Sequence, residues 1–287
     1  MPASPRGRAG AAFWVSADMP VLAPVPPGSR PDLSDAAAAP PEALNEKREV
    51  DAPLKALGDR LDALTAALAA EGTRAVLVVL QGRDTSGKDG VIRRVFGQMN
   101  PAFCQVTSFK QPTPFELRHD FLWRVHAHVP PRGVVGIWNR SHYEDVLVAR
   151  VHGLVPEAIW RERYRHINAF EEMLAGEGTR ILKFMLHISR GEQLERLRER
   201  LDDPAKNWKF HPGDLRERER WDAYTDAYAE AVERCSTPWA PWYVVPADKN
   251  RPRDFLLAEV LVHTLEAMAP RYPAADPEVM RMRHTFT

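Results

Sequence analysis

From residue 47 the apolar positions recur at spacings of three and four through LKALGDRLDALTAALAA, with Leu54, Leu57, Leu61 and Leu64 on one stripe, until Glu71 and Gly72 break the period. That pattern predicts a long amphipathic helix. Directly after it comes AVLVVL (75–80), a short β-branched run without alternation, as expected of a strand buried on both faces. Runs of the same kind stand at 104–109 (CQVTSF), 134–138 (VVGIW), 181–188 (ILKFMLHI) and 242–247 (WYVVPA), with helix-like segments between them. Five such strands interleaved with helices predict an α/β fold whose five-stranded parallel sheet is covered by helices on both faces.

Two helix starts carry the shape of a capping box: Ser189 with Glu192, and Asp214 with Glu217 ahead of RERERWDAYTDAYAEAVE. They bracket DDPAKNWKFHPG (202–213), a non-periodic stretch with two prolines and two lysines. A stretch of this kind between two helices reads as a cover over a site, which puts a lid around 196–220. Residues 1–46, rich in Pro and Ala (VLAPVPPGSRP, DAAAAPPEA), read as an N-terminal arm of extended chain, and 47–287 as one domain. No internal repeat is present.

Composition narrows the classes of function. Lys and Arg total 39 and so do Asp and Glu, giving a formal net charge of zero. No global basic field argues for nucleic acid, so an anionic ligand must be met by local clusters of Arg and Lys. No apolar run approaches a membrane span, and the two cysteines, Cys104 and Cys235, have neither metal-type spacing nor a disulfide framework. A cytoplasmic protein is the expectation, although Arg6 and Arg8 ahead of GAAFWV and a VSA triplet draw a faint signal-peptide outline.

The chemistry begins at LQGRDTSGKDG (80–90). Gly82 to Lys88 fits G-x-x-x-x-G-K, in which backbone N–H groups of Gly82, Arg83, Thr85, Ser86 and Gly87 close around phosphate oxygens and Lys88 reaches the terminal phosphates. Strand, loop and helix stand in the right order, so the helix N-terminus aims its positive end at the anion. A surface turn joining strand to helix is the plainer alternative. Position 89 is Asp where the general motif has Ser or Thr to hold magnesium. A carboxylate beside phosphates is repulsive unless a divalent cation lies between them, so Asp84 reads as the magnesium ligand. Asp89, in the first helical turn, reads rather as a charge that complements the helix dipole, with phosphate or metal contact as the other reading.

A second cluster follows the strand at 134–138, where the residues past a parallel strand's carboxyl end line the ligand crevice. It contains Asn139, then Arg140 as a fork for phosphate oxygens, Glu144 and Asp145 as candidate carboxylates with Glu144 favoured for the metal, and Arg150 as a further phosphate contact. Glu144 and Asp145 read equally as favourable charges at a helix start. A third cluster is Arg196, Arg200, Lys206 and Lys209 on and before the cover, with Trp208 placed to keep water from the phosphoryl group. For Arg196 and Arg200 ordinary helix-surface pairing competes with phosphate contact. His126, His128, His142 and His152 lack zinc-type spacing and read as core or surface histidines.

Taken together, VVLQGRDTSGKDGVIRRVF, HDFLWRVHAHVP, NRSHYEDVLVARVHGLVP, LKFMLHIS, RLDDPAKNWKF and APWYVVPAD resemble the second polyphosphate kinase family, the polyphosphate:nucleotide phosphotransferases, over about residues 45–270. The resemblance implies a P-loop kinase fold similar to thymidylate kinase, a helical lid, Mg²⁺ as cofactor and inorganic polyphosphate as donor. NRSHYEDVLV is similar to the subgroup that phosphorylates both mono- and diphosphates, which implies AMP to ADP to ATP, with reversal when triphosphate is abundant; adenine and guanine nucleotides as partners and a homo-oligomer are the further expectations. Asp84, Lys88, Arg140, Arg196 and Arg200 are then the catalytic candidates, while Lys206 and Lys209 close from the lid. An ATP-dependent nucleoside or nucleotide kinase of the same fold, and a non-catalytic module that binds polyphosphate or nucleotide, compete with this reading.

Overall fold

The computed structural model describes residues 22–44 and 47–282. The long period of three and four becomes α1 (Lys47–Glu71), and AVLVVL becomes the centre of β1 (Ala75–Gly82). The other predicted runs form β2 (Cys104–Ser108), β3 (Val135–Asn139), β4 (Thr179–His187) and β5 (Trp242–Pro246). All pairings are parallel, in the spatial order β2-β3-β1-β4-β5. The helices between are α2 (Lys88–Arg94), α3 (Trp123–His126), α4 (Glu144–Val151), α5 (Glu157–Gly176), α6 (Arg190–Asp202), α7 (Pro212–Glu219), α8 (Trp221–Cys235), α9 (Asn250–Met268) and α10 (Pro277–Met282).

Every residue of β1 is buried, as its unalternated apolar run requires. Val76, Val78 and Leu80 face a core shared with α1, α2 and α9, while Leu77 and Val79 face a second core shared with α4, α5 and α8. Because β3 and β4 flank β1 on opposite sides, the carboxyl end of β1 opens at the switch point where parallel α/β sheets bind ligands.

Three expectations are revised. The Pro/Ala-rich arm is, over residues 22–44, docked on the body, and its extended chain is broken by two 3₁₀ turns at Asp35–Ala38 and Glu42–Leu44. Val25 N–H donates to the Trp242 carbonyl (2.8 Å), Asp248 N–H donates to the Ala38 carbonyl (3.2 Å), and the Asp35 carboxylate accepts the Arg190 N–H at the start of α6 (3.0 Å). The run after residue 211 is two helices, α7 and α8, broken at Arg220. Asp214 is also not the first cap. With Pro212 preset for the first helical position, the cap is His211 and the helix begins three residues earlier, and Asp214 reaches back to accept the His211 N–H (3.2 Å). Ser189 caps α6 as predicted, accepting the Glu192 N–H (3.2 Å).

One core residue has no counterpart in the apolar pattern. Glu259 on α9 is fully buried, and neither carboxylate oxygen has a hydrogen-bond partner among the described residues. Burial pushes its carboxyl up to about 7 from 4.5. The neutral form is therefore the one the fold favours. Its contribution is fully present below about pH 4.5, declines as pH rises through 7 and is lost above, a swing of about 3 kcal/mol. Glu259→Gln is expected to flatten that dependence, so urea melts of variant and parent should differ by about 3 kcal/mol more at pH 8 than at pH 5.

Candidate active site

The loop between β1 and α2 is set by its glycines and by a buried arginine. Gly87 takes φ +95°, and a Cβ there would lie 2.1 Å from the Arg253 guanidinium; at Gly82, with φ +150°, it would lie 2.6 Å from the Leu186 carbonyl. Arg253 on α9 is fully buried, donates to the Ser86 carbonyl (3.1 Å) and pairs with Asp254 (2.7 Å), which also pairs with Arg94 of α2. Burial brings the Arg253 guanidinium down to about 10 despite Asp254. Thr85 is held in the left-handed region (φ 64°), a strain tolerated where the surroundings over-determine it. The hydroxyls of Thr85 and Ser86 and the Arg83 Nε are buried without hydrogen-bond partners, a cradle of polar groups unsatisfied by the protein.

Lys88 turns back into the loop, donating to the carbonyls of Gly82 (2.8 Å) and Arg83 (3.1 Å). Burial, reinforced by Arg140, lowers its ammonium to about 8, with Asp84, Glu144 and Asp89 resisting the shift. Asp84 stands between Arg200 (3.6 Å) and Arg140 (3.8 Å). Burial alone would raise its carboxyl, but Lys88, Arg200 and Arg140 outweigh that and hold it below the usual range. Beside it is Asp214 of α7, itself 3.5 Å from Arg200. Burial and the charge of Asp84 raise the Asp214 carboxyl, so Asp84 is the first of the pair to ionise.

Two cavities meet at Asp84 and Arg140. One, of about 680 Å³, runs from the loop to the cover and is lined by Lys88, Arg93, Arg140, Arg196, Arg200, Lys206 and Lys209 against only Asp84, Asp89 and Glu199. The other, of about 800 Å³, lies between the loop, the segment after β2 and helices α4, α7 and α8; its walls include Phe109, Leu117, Val148, Val155, Trp221, Tyr224 and Tyr228. Arg83 forms part of this wall, stacked 3.8 Å from the Trp221 ring centroid and hydrogen-bonded to Thr225; burial lowers its guanidinium to about 10.

The predicted residues divide as follows. Gly82, Arg83, Asp84, Thr85, Gly87, Lys88, Arg140, Arg200, Lys206 and Lys209 line one or both cavities. Arg196 lines the basic cavity, but its donors are used on Glu192 (2.8 Å) and on the carbonyls of Thr85 (2.9 Å), Ala247 (2.7 Å) and Asp248 (2.9 Å), so it buttresses the loop rather than reaching across phosphates. Arg150 faces neither cavity: it pairs with Glu230 (2.7 Å) and stacks on Trp160. Glu144 is engaged by Arg140 (3.0 Å) and, with the Gln81 amide turned to satisfy both its ends, by Gln81 (2.9 Å). Asp145 is held by Arg163 (3.1 Å), with burial raising its carboxyl. Asp89 is more than a helix-start charge, since it accepts from Asn139 (2.9 Å) and faces Lys209 (3.8 Å) across the mouth of the basic cavity. Trp208 remains 73% exposed on that rim, where it shields little.

Asp214, Trp221, Tyr224 and Tyr228 escaped the reading of the sequence. So did the contact of His152 with Glu217 (3.0 Å), in which Tyr224 also donates to Glu217 (2.7 Å). The aromatic spacing of WDAYTDAY was the available signal, since Trp221, Tyr224 and Tyr228 fall on one face of a helix.

Asp84 and Asp214 offer hard carboxylate oxygens suited to Mg²⁺, and no group of three or more potential ligands clusters among the described residues. Two carboxylates side by side suit an ion that draws its remaining ligands from phosphate and water.

Comparison with known proteins agrees with this geometry. The family model for polyphosphate kinase 2 matches residues 44–273. An AMP/ADP-polyphosphate phosphotransferase of Meiothermus ruber is 56% identical over 223 residues, covering 78% of this chain and 84% of that protein. An ADP-polyphosphate phosphotransferase of Rhodopseudomonas palustris is 44% identical over 241 residues, covering 78% and 83%. Among solved structures, polyphosphate kinase 2 from Arthrobacter aurescens TC1 superposes with a TM-score of 0.81 at 44% identity, covering 85% of this chain and 88% of the other.

Proposed function

The chain belongs to the polyphosphate kinase 2 family, and from that membership we propose which cavity takes which substrate. Its activity is polyphosphate-dependent phosphorylation of AMP and ADP. Polyphosphate, a flexible polyanion, lies in the basic cavity with its terminal phosphoryl in the loop. The nucleotide lies in the larger cavity, its base against Phe109, Trp221 and Tyr224 and its terminal phosphate directed toward Arg140. The observation that carries this reading is the contrast between the two cavities: seven cations against three carboxylates line the one, while six cations nearly balanced by five carboxylates share the other with an aromatic wall.

An oxygen of the acceptor phosphate, ionised at neutral pH, forms the new P–O bond as the bond to the shortened polyphosphate breaks. No residue need remove a proton, so the protein supplies alignment and positive charge for a loose transition state. Lys88 and the loop N–H groups hold the transferring phosphoryl, and Arg140 spans donor and acceptor from the junction of the cavities. Arg200 lies beside Asp84 on the lid side, and Lys206 and Lys209 secure the chain. Asp84, with Asp214 beside it, would hold Mg²⁺, which when bound neutralises phosphate charge. Stacking surfaces accept any purine, so guanine nucleotides fall within the proposed acceptors. The open edge of β2, with Val106 49% exposed, supports assembly of copies, and two unpaired cysteines support a cytoplasmic site. No helix of the described residues is long and apolar enough to cross a membrane.

The assignment predicts a split in Michaelis constants. Lys206→Ala/Lys209→Ala should raise KM for polyphosphate roughly tenfold while KM for AMP stays within about twofold. A rise confined to the AMP constant would reverse the two cavities.

A further inference from the structure

Beneath Arg140 lies a polar cluster that neither cavity touches. Arg140 is one of three non-glycine residues with positive φ (63°) among the described residues, and the two side chains that follow Ser141 both run downward from it. His142 and Tyr143 are completely buried. The His142 ring sits edge-on to Trp138 and Phe170, and its Nε2 lies 3.1 Å from Glu171 Oε1; the Tyr143 hydroxyl donates to that same oxygen (3.0 Å). Lys183 of β4, also fully buried, pairs with the other oxygen of Glu171, donates to the Tyr143 hydroxyl (2.9 Å) and to the Cys235 carbonyl (2.6 Å). Burial would raise the Glu171 carboxyl, but Lys183 and His142 hold it down, so one buried carboxylate anchors two successive residues of the turn.

A fold that only needed to fill this space would use apolar side chains, because a buried ion pair contributes little net stability against a hydrophobic replacement. What the ionic cluster adds is direction. It fixes the strand-to-helix turn from below, while above it the Arg140 guanidinium is spread between Glu144 (3.0 Å) and Asp84 (3.8 Å) at the junction of the cavities. We propose that the Lys183–Glu171 pair, acting through His142 and Tyr143, is a positioning device that holds Arg140 in its left-handed backbone conformation and so aims it at both substrates. This rests on the role given to Arg140 above. A displacement near 1 Å at a reacting centre is enough to cost up to about a hundredfold in rate, so the effect should appear in turnover.

A double-mutant cycle tests it. Tyr143→Phe removes one tether and leaves the Lys183–Glu171 pair and the ring packing on Trp242 in place. It should lower kcat about tenfold, with both Michaelis constants within about twofold and the melting temperature within a few degrees. Glu171→Gln, which weakens both tethers, should lower kcat at least as far. Arg140→Ala should lower kcat by about a hundredfold, and Tyr143→Phe added to Arg140→Ala should change nothing further. Unchanged kcat in Tyr143→Phe, or an undiminished tenfold loss in the Arg140→Ala background, overturns the positioning role while leaving the cavity assignment intact. Full activity in Arg140→Ala alone instead overturns the role of Arg140 on which the inference stands.

Discussion

Asp84→Asn is expected to lower turnover with polyphosphate by about a hundredfold to a thousandfold while the protein remains folded. The carboxylate lies 3.6 Å from Arg200 and 3.8 Å from Arg140, with Lys88 close by, and their charges hold it ionised. It ionises before Asp214, and in the proposed assignment it would hold Mg²⁺. Asparagine keeps the shape and removes the charge that Lys88, Arg140 and Arg200 share, although Arg140 keeps Glu144 and Arg200 keeps Asp214. The side chain is 37% exposed, so no core contact is lost and the melting temperature should move by no more than a few degrees. Turnover near the parent's with an unchanged dependence on Mg²⁺ would remove Asp84 from the site.

The second large effect is on stability. Lys183→Met leaves Glu171 as an unpaired carboxylate in the core, and breaking a buried pair by removing one partner costs about 3–5 kcal/mol. The loss should show as a melting temperature lower by roughly 10 °C and an earlier urea midpoint with an unchanged slope. Removing either partner of an exposed pair such as Arg198–Glu195, whose side chains are each 60% exposed, should change the midpoint hardly at all. A Lys183→Met variant as stable as its parent would mean that Glu171 is neutral in the fold, contrary to the direction its surroundings impose.

How much of this was written in the sequence depends on how local the signal is. The strands are legible because parallel strands buried on both faces are short apolar runs, as β1, β3 and β4 are, while β2 on the exposed edge is marked only by its β-branched residues. The loop is legible for a similar reason, since glycines at 82 and 87 and a lysine at 88 are required by one backbone shape. What escaped depends on contacts between distant residues. Arg253 supports Ser86 across 167 positions, and Arg83 reaches Thr225 across 142; neither pairing leaves a trace in spacing. Asp214 looked like a helix cap because its neighbours have capping chemistry, and it does accept one such bond, yet the fold also brings it against Asp84. Arg150 and Arg196 looked like phosphate ligands because composition cannot say which way a helix faces; one turns toward α8 and the other is spent on backbone carbonyls. The Pro- and Ala-rich composition reads as an arm, while Leu33, Ala38 and Leu44 suffice to seat residues 22–44.

The most direct measurement supplies the full chain with Mg²⁺, AMP and inorganic polyphosphate as the sole phosphoryl donor, and follows the nucleotides by chromatography. ADP should appear first and ATP after it, with polyphosphate phosphoryl groups lost in equal number, and Lys88→Ala should abolish both products. Formation of neither product from polyphosphate, with AMP phosphorylated when ATP is the donor, would contradict the account.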